Sequence, residues 1–390
     1  MNNFTFYNPT RVVFGKDQLK ELHNLVPADA NILITYGGGS AVRSGLIDAV
    51  KEELSKGNRK ISTFGGIEPN PRFSTLMKAI EQARKDGVDY LLAVGGGSVM
   101  DGTKFIALAA AGEDFVGKEE EILSFGFGGV PANKALPLGT VCTLPATGSE
   151  MNNGGVISNG HDKLFFHSPI TFPQFSIIDP SYTMTLPERQ VANGIVDTFV
   201  HVAEQYVTYP AEGRFQDRTA EGILQTLIEI GETTLNDPQD YDARANLVWC
   251  ATMALNGLIG SGVPQDWSAH MLGHEITALY EIDHGRTLAM TLPAIWKVRK
   301  EQKKAKLLQY AERVWGLTEG SEEARIEEAI DRTEAFFGSL GVPTRFSRYD
   351  LGEEVVEKVI ANLEKHKMTA LSEHGDMTLD VSRKVLRAAL

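Results

Sequence analysis

Asp197 and His201 stand four positions apart in a stretch of helical pattern, so their side chains leave the same face. His270 and His274 repeat that spacing, and His284 comes just before Gly285. One carboxylate among several imidazoles is a mixed nitrogen and oxygen donor set of the kind that divalent zinc or iron accepts. Cys250 has no cysteine partner and adds nothing to such a set. Other chemistries fit worse. His274-Glu275 starts an H-E pair, but Ala278 stands where a zinc peptidase needs its second histidine. Gly148-Ser149-Glu150 lacks the glycine spacing of a nucleophile elbow.

Two glycine clusters follow apolar runs, Gly37-Gly38-Gly39-Ser40 and Gly95-Gly96-Gly97-Ser98. With no Cβ in the way, a phosphate can approach backbone N–H groups there, and a helix N-terminus behind the turn favours the anion. Neither cluster completes the G-x-G-x-x-G fingerprint, because Val42 and Met100 hold the third place. The stretch Thr35–Ser40 contains no acid. NAD sites usually place a carboxylate by the ribose 2′-hydroxyl, where it would repel a 2′-phosphate. Its absence favours NADP(H), with Ser40 and open backbone receiving the phosphate and Arg43 and Lys60 as available helpers.

The elements that must position these residues fall into two kinds. Ile32–Tyr36, Ile61–Phe64, Tyr90–Val94, Ala135–Cys142 and Gln174–Ile178 read as strands. Helical stripes at Gly45–Leu54 and Phe73–Arg84 alternate with the first of them, the pattern of βαβ units around a parallel sheet. After Asp179-Pro180 the pattern is helical almost throughout, over 190–206, 214–234, 243–258, 303–314, 325–340 and 353–365, with a stop signal at Gly341-Val342-Pro343. The expected division is an α/β domain over 1–183 and an all-helical domain over 184–390. The 390 residues suit two domains, and 42% apolar with 23% charged residues is ordinary globular composition. A net charge of −13 argues against a nucleic-acid partner. Two cysteines in apolar contexts, Cys142 and Cys250, read as reduced core thiols of a cytoplasmic protein. The first residues lack the regions of an export signal, and no apolar run spans a bilayer, so no membrane association is expected.

Phe14-Gly15, Gly65-Gly66-Ile67-Glu68-Pro69-Asn70-Pro71, the run Ala93–Asp101, Thr143–Glu150, His270–Glu275 and Asp283-His284-Gly285 together carry a resemblance. Over essentially its whole length the chain resembles the iron-containing (group III) alcohol dehydrogenase family, in particular its bacterial NADPH-dependent aldehyde reductase and butanol dehydrogenase branch. The resemblance implies a Rossmann-like dinucleotide-binding domain, a helical metal-binding domain, a dehydroquinate synthase-like fold and a homodimer. It implies one divalent ion per subunit, Fe2+ or Zn2+, on Asp197, His201, His270 and His284. His274 matches a histidine near the nicotinamide that is not a ligand. The pyrophosphate is implied on Gly97-Ser98 beside Gly96, and the 2′-phosphate region at Gly37, Gly38, Gly39 and Ser40. Asn70, Thr140, Thr143, Thr147, Asn152 and Lys163 match positions around the cofactor. Asp101 matches a further position near it, and with His274 completes the catalytic candidates.

The expected reaction transfers a hydride between NADP(H) and a short aldehyde or primary alcohol, with the ion polarising the carbonyl oxygen. Proton delivery falls to water, the nicotinamide ribose hydroxyl or His274, which has ligand orientation as its other role. The rival readings are a glycerol-dehydrogenase-like or dehydroquinate-synthase-like metalloenzyme and a non-catalytic binding module.

Overall fold

The computed structural model describes residues 1–390 and divides into two compact units. One comprises Tyr7–Thr185; the other comprises Leu186–Leu390 together with Met1–Phe6. The first six residues therefore lie with the helical part, where Asn2 donates its N–H to Gly262 O, and not with the α/β part as the expected division had them.

The α/β unit is built on eight strands: β1 (Arg11–Phe14), β2 (Asn31–Tyr36), β3 (Lys60–Phe64), β4 (Tyr90–Gly95), β5 (Leu138–Cys142), β6 (Gly154–Asn159), β7 (Asp162–His167) and β8 (Phe175–Ile178). Six form one parallel sheet in the order β1-β8-β5-β4-β2-β3. All six β4 residues are buried, as a strand covered on both faces requires. From β2 the chain runs outward to β3, then crosses back to lay β4 against the other side of β2, with Tyr36 opposite Val94. The order of strands reverses there, which is where open α/β sheets bind ligands at the carboxyl ends of their strands. Both glycine turns leave from these two neighbouring strands.

Two features of this unit have weak sequence signals. β1 is four residues long with two of them exposed, so it shows no burial period. β6 and β7 form an antiparallel hairpin around Gly160, at φ +61°, with Gly154 opposite His167.

The helical unit contains the helices Glu188–Tyr206, Arg214–Asn236, Tyr241–Ala254, Ser268–Tyr280, His284–Val298, Lys304–Trp315, Glu322–Ser339, Glu354–Lys365 and Leu379–Ala388. It is not wholly helical, since a short antiparallel ladder, β9 (Ala370–Leu371) with β10 (Met377–Thr378), interrupts it. Its core gathers Val196, Phe199 and Val200 with Leu272, Leu288, Trp296 and Phe337. No helix is long and apolar enough to cross a membrane.

Candidate active site

The helix Glu188–Tyr206 places Asp197 and His201 one turn apart on one face, and the helix Ser268–Tyr280 brings His270 to them. The donor atoms of these three buried side chains lie within 4.8 Å of one another. Asp197 Oδ1 is 3.6 Å from His201 Nε2 and 3.7 Å from His270 Nε2. The His201 and His270 rings stack with centroids 4.6 Å apart. His284 stands beside the trio, its ring 5.2 Å from that of His270 and 4.7 Å from that of His274.

Close backbone approach explains how His284 arrives. It opens the helix His284–Val298, and a Cβ on Gly285 would fall 2.4 Å from Asn193 O, on the helix that carries Asp197. The preceding Asp283 is held by Asn193 Nδ2 at 2.8 Å and Arg189 Nε at 2.6 Å. Gly273 likewise lets its helix close on Thr287, whose Oγ1 would lie 2.9 Å from an added Cβ.

A carboxylate that no sequence pattern singled out completes the arrangement. Glu204, one turn beyond His201 and buried, accepts a hydrogen bond from Ala269 N at 2.5 Å and pairs with His270 Nδ1. Burial disfavours a charged His270 ring, yet Glu204 and Asp197 outweigh it and carry its pKa up to about 9. Negative surroundings that hold a proton on this ring also suit a cation. His270 Nε2 is buried and has no hydrogen-bond partner, an arrangement that costs stability and that a cation displacing its proton would relieve. One carboxylate and two imidazoles, one of them with this orphaned nitrogen, fit a divalent ion. Trp267, at φ +72°, borders the trio with its ring 5.3 Å from His270.

In the α/β unit, Gly96 caps the helix Gly97–Ala110 with no side-chain cap and no acid in the first turn, so its first N–H groups are open to an anion. Gly97 lets Thr147 approach closely, since a Cβ there would meet Thr147 Oγ1 at 2.5 Å. Asn70, at φ +56°, donates its N–H to Ser98 Oγ at 3.3 Å. Thr143 N–H donates to Gly95 O at 3.0 Å, which extends β5 alongside the turn. At the first turn Gly38 has open space where a Cβ would stand, and Ser40 is exposed. Gly39 takes φ +106°, with Arg43 Nη1 3.2 Å from its Cβ position. An open backbone, a guanidinium and no carboxylate suit a phosphate ester.

Asp101 does less freely what its place suggests. Ser149 Oγ donates to its Oδ1 at 2.6 Å and Val156 N to its Oδ2 at 2.9 Å, so both oxygens are engaged within the unit. Burial raises its pKa, against the pull of Lys104 and Lys163. Lys104, three residues on and fully buried, donates to Ser149 Oγ, Asn152 Oδ1 and Gly154 O, each at 2.8 Å. Burial draws its pKa down to about 8, against Asp101 and Glu150. This lysine, unread in the sequence because it lies among helical apolar residues, ties the helix behind the second turn to the hairpin. Lys163 sits on β7 and Thr140 within β5, where the buried Thr140 hydroxyl donates to Ser176 Oγ at 2.7 Å.

The chain and its order of elements have close counterparts. Residues 9–180 match the model of the iron-containing alcohol dehydrogenases, and residues 191–390 that of the C-terminal part of the Fe-containing alcohol dehydrogenase family. The chain is 54% identical over 391 residues to the NADPH-dependent aldehyde reductase YqhD of Escherichia coli, covering 100% of both chains. It is 42% identical to NADP-dependent alcohol dehydrogenase 3 of Entamoeba histolytica, covering 93% of this chain and 94% of that one. The crystal structure of E. coli K-12 YqhD superposes with a TM-score of 0.96 at 53% identity, covering 100% of this chain and 99% of that one. Sequence and architecture agree, and the chain belongs to the iron-containing alcohol dehydrogenase family.

Proposed function

We propose that this protein is a metal-dependent, NADP(H)-using alcohol dehydrogenase whose working direction is the reduction of short-chain aldehydes to primary alcohols. The observation that carries this reading is the buried trio Asp197, His201 and His270, with Glu204 behind it. The relatives named for NADPH- and NADP-dependent aldehyde and alcohol chemistry support the reaction and the cofactor. An α/β unit with phosphate-accepting turns, followed by a helical unit with the ligands, supports a dehydroquinate synthase-like fold.

Asp197, His201, His270 and His284 are the proposed ligands of one Fe2+ or Zn2+. When bound, the ion supplies Lewis acidity toward a carbonyl oxygen and the reduced nicotinamide supplies hydride. Glu204 keeps the proton of His270 on Nδ1, which leaves Nε2 for the cation. His274, with its ring beside that of His284, holds the proton that the product oxygen takes up. Gly96, Gly97 and Ser98 receive the pyrophosphate; Gly37, Gly38, Gly39 and Ser40 the 2′-phosphate. Asn70, Thr143, Thr147, Asn152 and Lys163 line the dinucleotide. Asp101 and Thr140 act from behind, by shaping the loops and strand that face it.

We read the enzyme as a cytoplasmic homodimer. The N-terminal arm supports association, because Phe4, Phe6 and Tyr7 are 50%, 46% and 66% exposed along one short stretch. Consumption of NADPH with butanal, followed at 340 nm beside elemental analysis, tests the reaction. His270→Ala is expected to lose the bound metal and on the order of 100-fold or more of kcat while NADPH still binds. Full activity in metal-free His270→Ala protein refutes the assignment.

A further inference from the structure

Next to the start of the helix that bears His270, the helical unit buries a second set of charges. Lys303 precedes the helix Lys304–Trp315 and is 1% exposed. Its ammonium lies 2.9 Å from Asp266 Oδ2, 2.7 and 2.9 Å from the two carboxylate oxygens of Glu373, and 2.9 Å from Val207 O. Glu373 belongs to the loop that joins β9 to β10.

Each partner leads to the ligands. Val207 is the residue at which the helix bearing Asp197, His201 and Glu204 ends. Asp266 lies at the start of the helix bearing His270: its Oδ1 accepts from Ser268 N at 3.0 Å and from Ser268 Oγ. Asp266 N in turn donates to Glu204 O at 2.9 Å. One buried ammonium thus fastens the end of one ligand-bearing helix to the beginning of the other. Those helices must meet at a fixed distance for Asp197 and His270 to share an ion. We infer that Lys303 is a positioning residue for the metal, acting through Asp266 and Val207 to hold Glu204 and His270 in register with Asp197 and His201.

This inference rests on the metal reading above, and its sign is diagnostic. By Coulomb's law alone, removing a buried cation from this acidic cluster strengthens the binding of a divalent ion. Loss of positioning weakens it, and outer partners of metal ligands typically contribute about 10–100-fold in affinity. The test is zinc affinity of the full-length protein, measured by competition with a chromophoric chelator in the absence of substrate. Tryptophan fluorescence, which arises wholly in the helical unit, serves as the control for folding. Lys303→Met is expected to bind zinc about 10–100-fold more weakly with unchanged NADPH affinity. Equal or tighter zinc binding overturns the inference. Should Lys303→Met fail to fold, Ser268→Ala removes only the hydroxyl that Asp266 holds. It is expected to lose about 10-fold in zinc affinity, the lower end of that range, and an unaltered affinity overturns the inference equally. A wild-type protein that binds no zinc or iron at all refutes the metal site itself, a different outcome from either.

Discussion

Two glycines at the proposed nucleotide site obey different constraints, and substitution separates them. Gly38 has nothing within 4 Å of its Cβ position and a backbone that an L-residue can adopt. Gly38→Asp therefore introduces charge without a clash. Repulsion of a 2′-phosphate is expected to raise KM for NADPH about 10-fold and leave KM for NADH nearly unchanged. Equal effects on both cofactors would contradict the placement of that phosphate. Gly97 is closed by Thr147 at 2.5 Å, so Gly97→Ala must displace Thr147 or the turn and is expected to weaken both cofactors alike. Steady-state kinetics with the two reduced cofactors reads out both variants.

Three helices of the helical unit are joined by one polar cluster around the buried Glu221. Glu221 accepts hydrogen bonds from Tyr206 at 2.9 Å, Arg218 at 2.8 Å, Gln309 at 2.9 Å and Arg313 at 3.0 Å. Lys306 pairs with Asp217 at 2.7 Å and lies over the Tyr206 ring. Burial raises the Glu221 pKa, but the bonds from Arg218, Arg313, Tyr206 and Gln309 outweigh it and hold the carboxyl below the usual range. A carboxyl lowered on folding contributes stability above its unfolded pKa, and that contribution fades as pH falls through the lower folded value. Glu221→Gln is expected to cost about 2–3 kcal/mol near neutral pH, since two of its cationic partners remain partly in water. The difference from wild type should shrink as the medium is acidified below the ordinary carboxylate range. A constant difference down to the acid limb would mean that Glu221 is not ionised in the folded protein.

At the scale of the whole molecule, the four tryptophans, Trp249, Trp267, Trp296 and Trp315, all fall in the helical unit. Their fluorescence reports on the unit that carries the proposed ligands. Asp197, Glu204 and Asp266 are buried there with Lys303, a balance that a bound dication improves. An ion held at about 1,000 times its Kd stabilises by roughly 4 kcal/mol. For a unit of this size, stripping the metal with a chelator should lower the tryptophan-detected Tm by about 10 °C. Restoration by Zn2+ or Fe2+, with no response to Mg2+, is the expected counterpart. A Tm indifferent to chelation would remove the ion from the fold's stability and weaken the case for Asp197 and His270 as ligands.

What could be read without the fold was local. The i,i+4 pair Asp197 and His201, the glycines at strand ends and the change from alternating to helical pattern after Asp179 each depend on residues a few positions apart. The four-residue β1, the hairpin β6–β7 and the β9–β10 ladder were hidden, because short or half-exposed strands take their stability from partners elsewhere in the chain. The acids and cations that support the site were hidden for the same reason. Glu204 meets a ring 66 positions away, Lys104 bonds across 45 to 50 positions, and Lys303 reaches Glu373 across 70. Residue types and spacing determined which groups were available for chemistry. Only tertiary packing decided which of them share a buried environment, because a charge or a lone pair takes its character from neighbours that the chain brings near by folding.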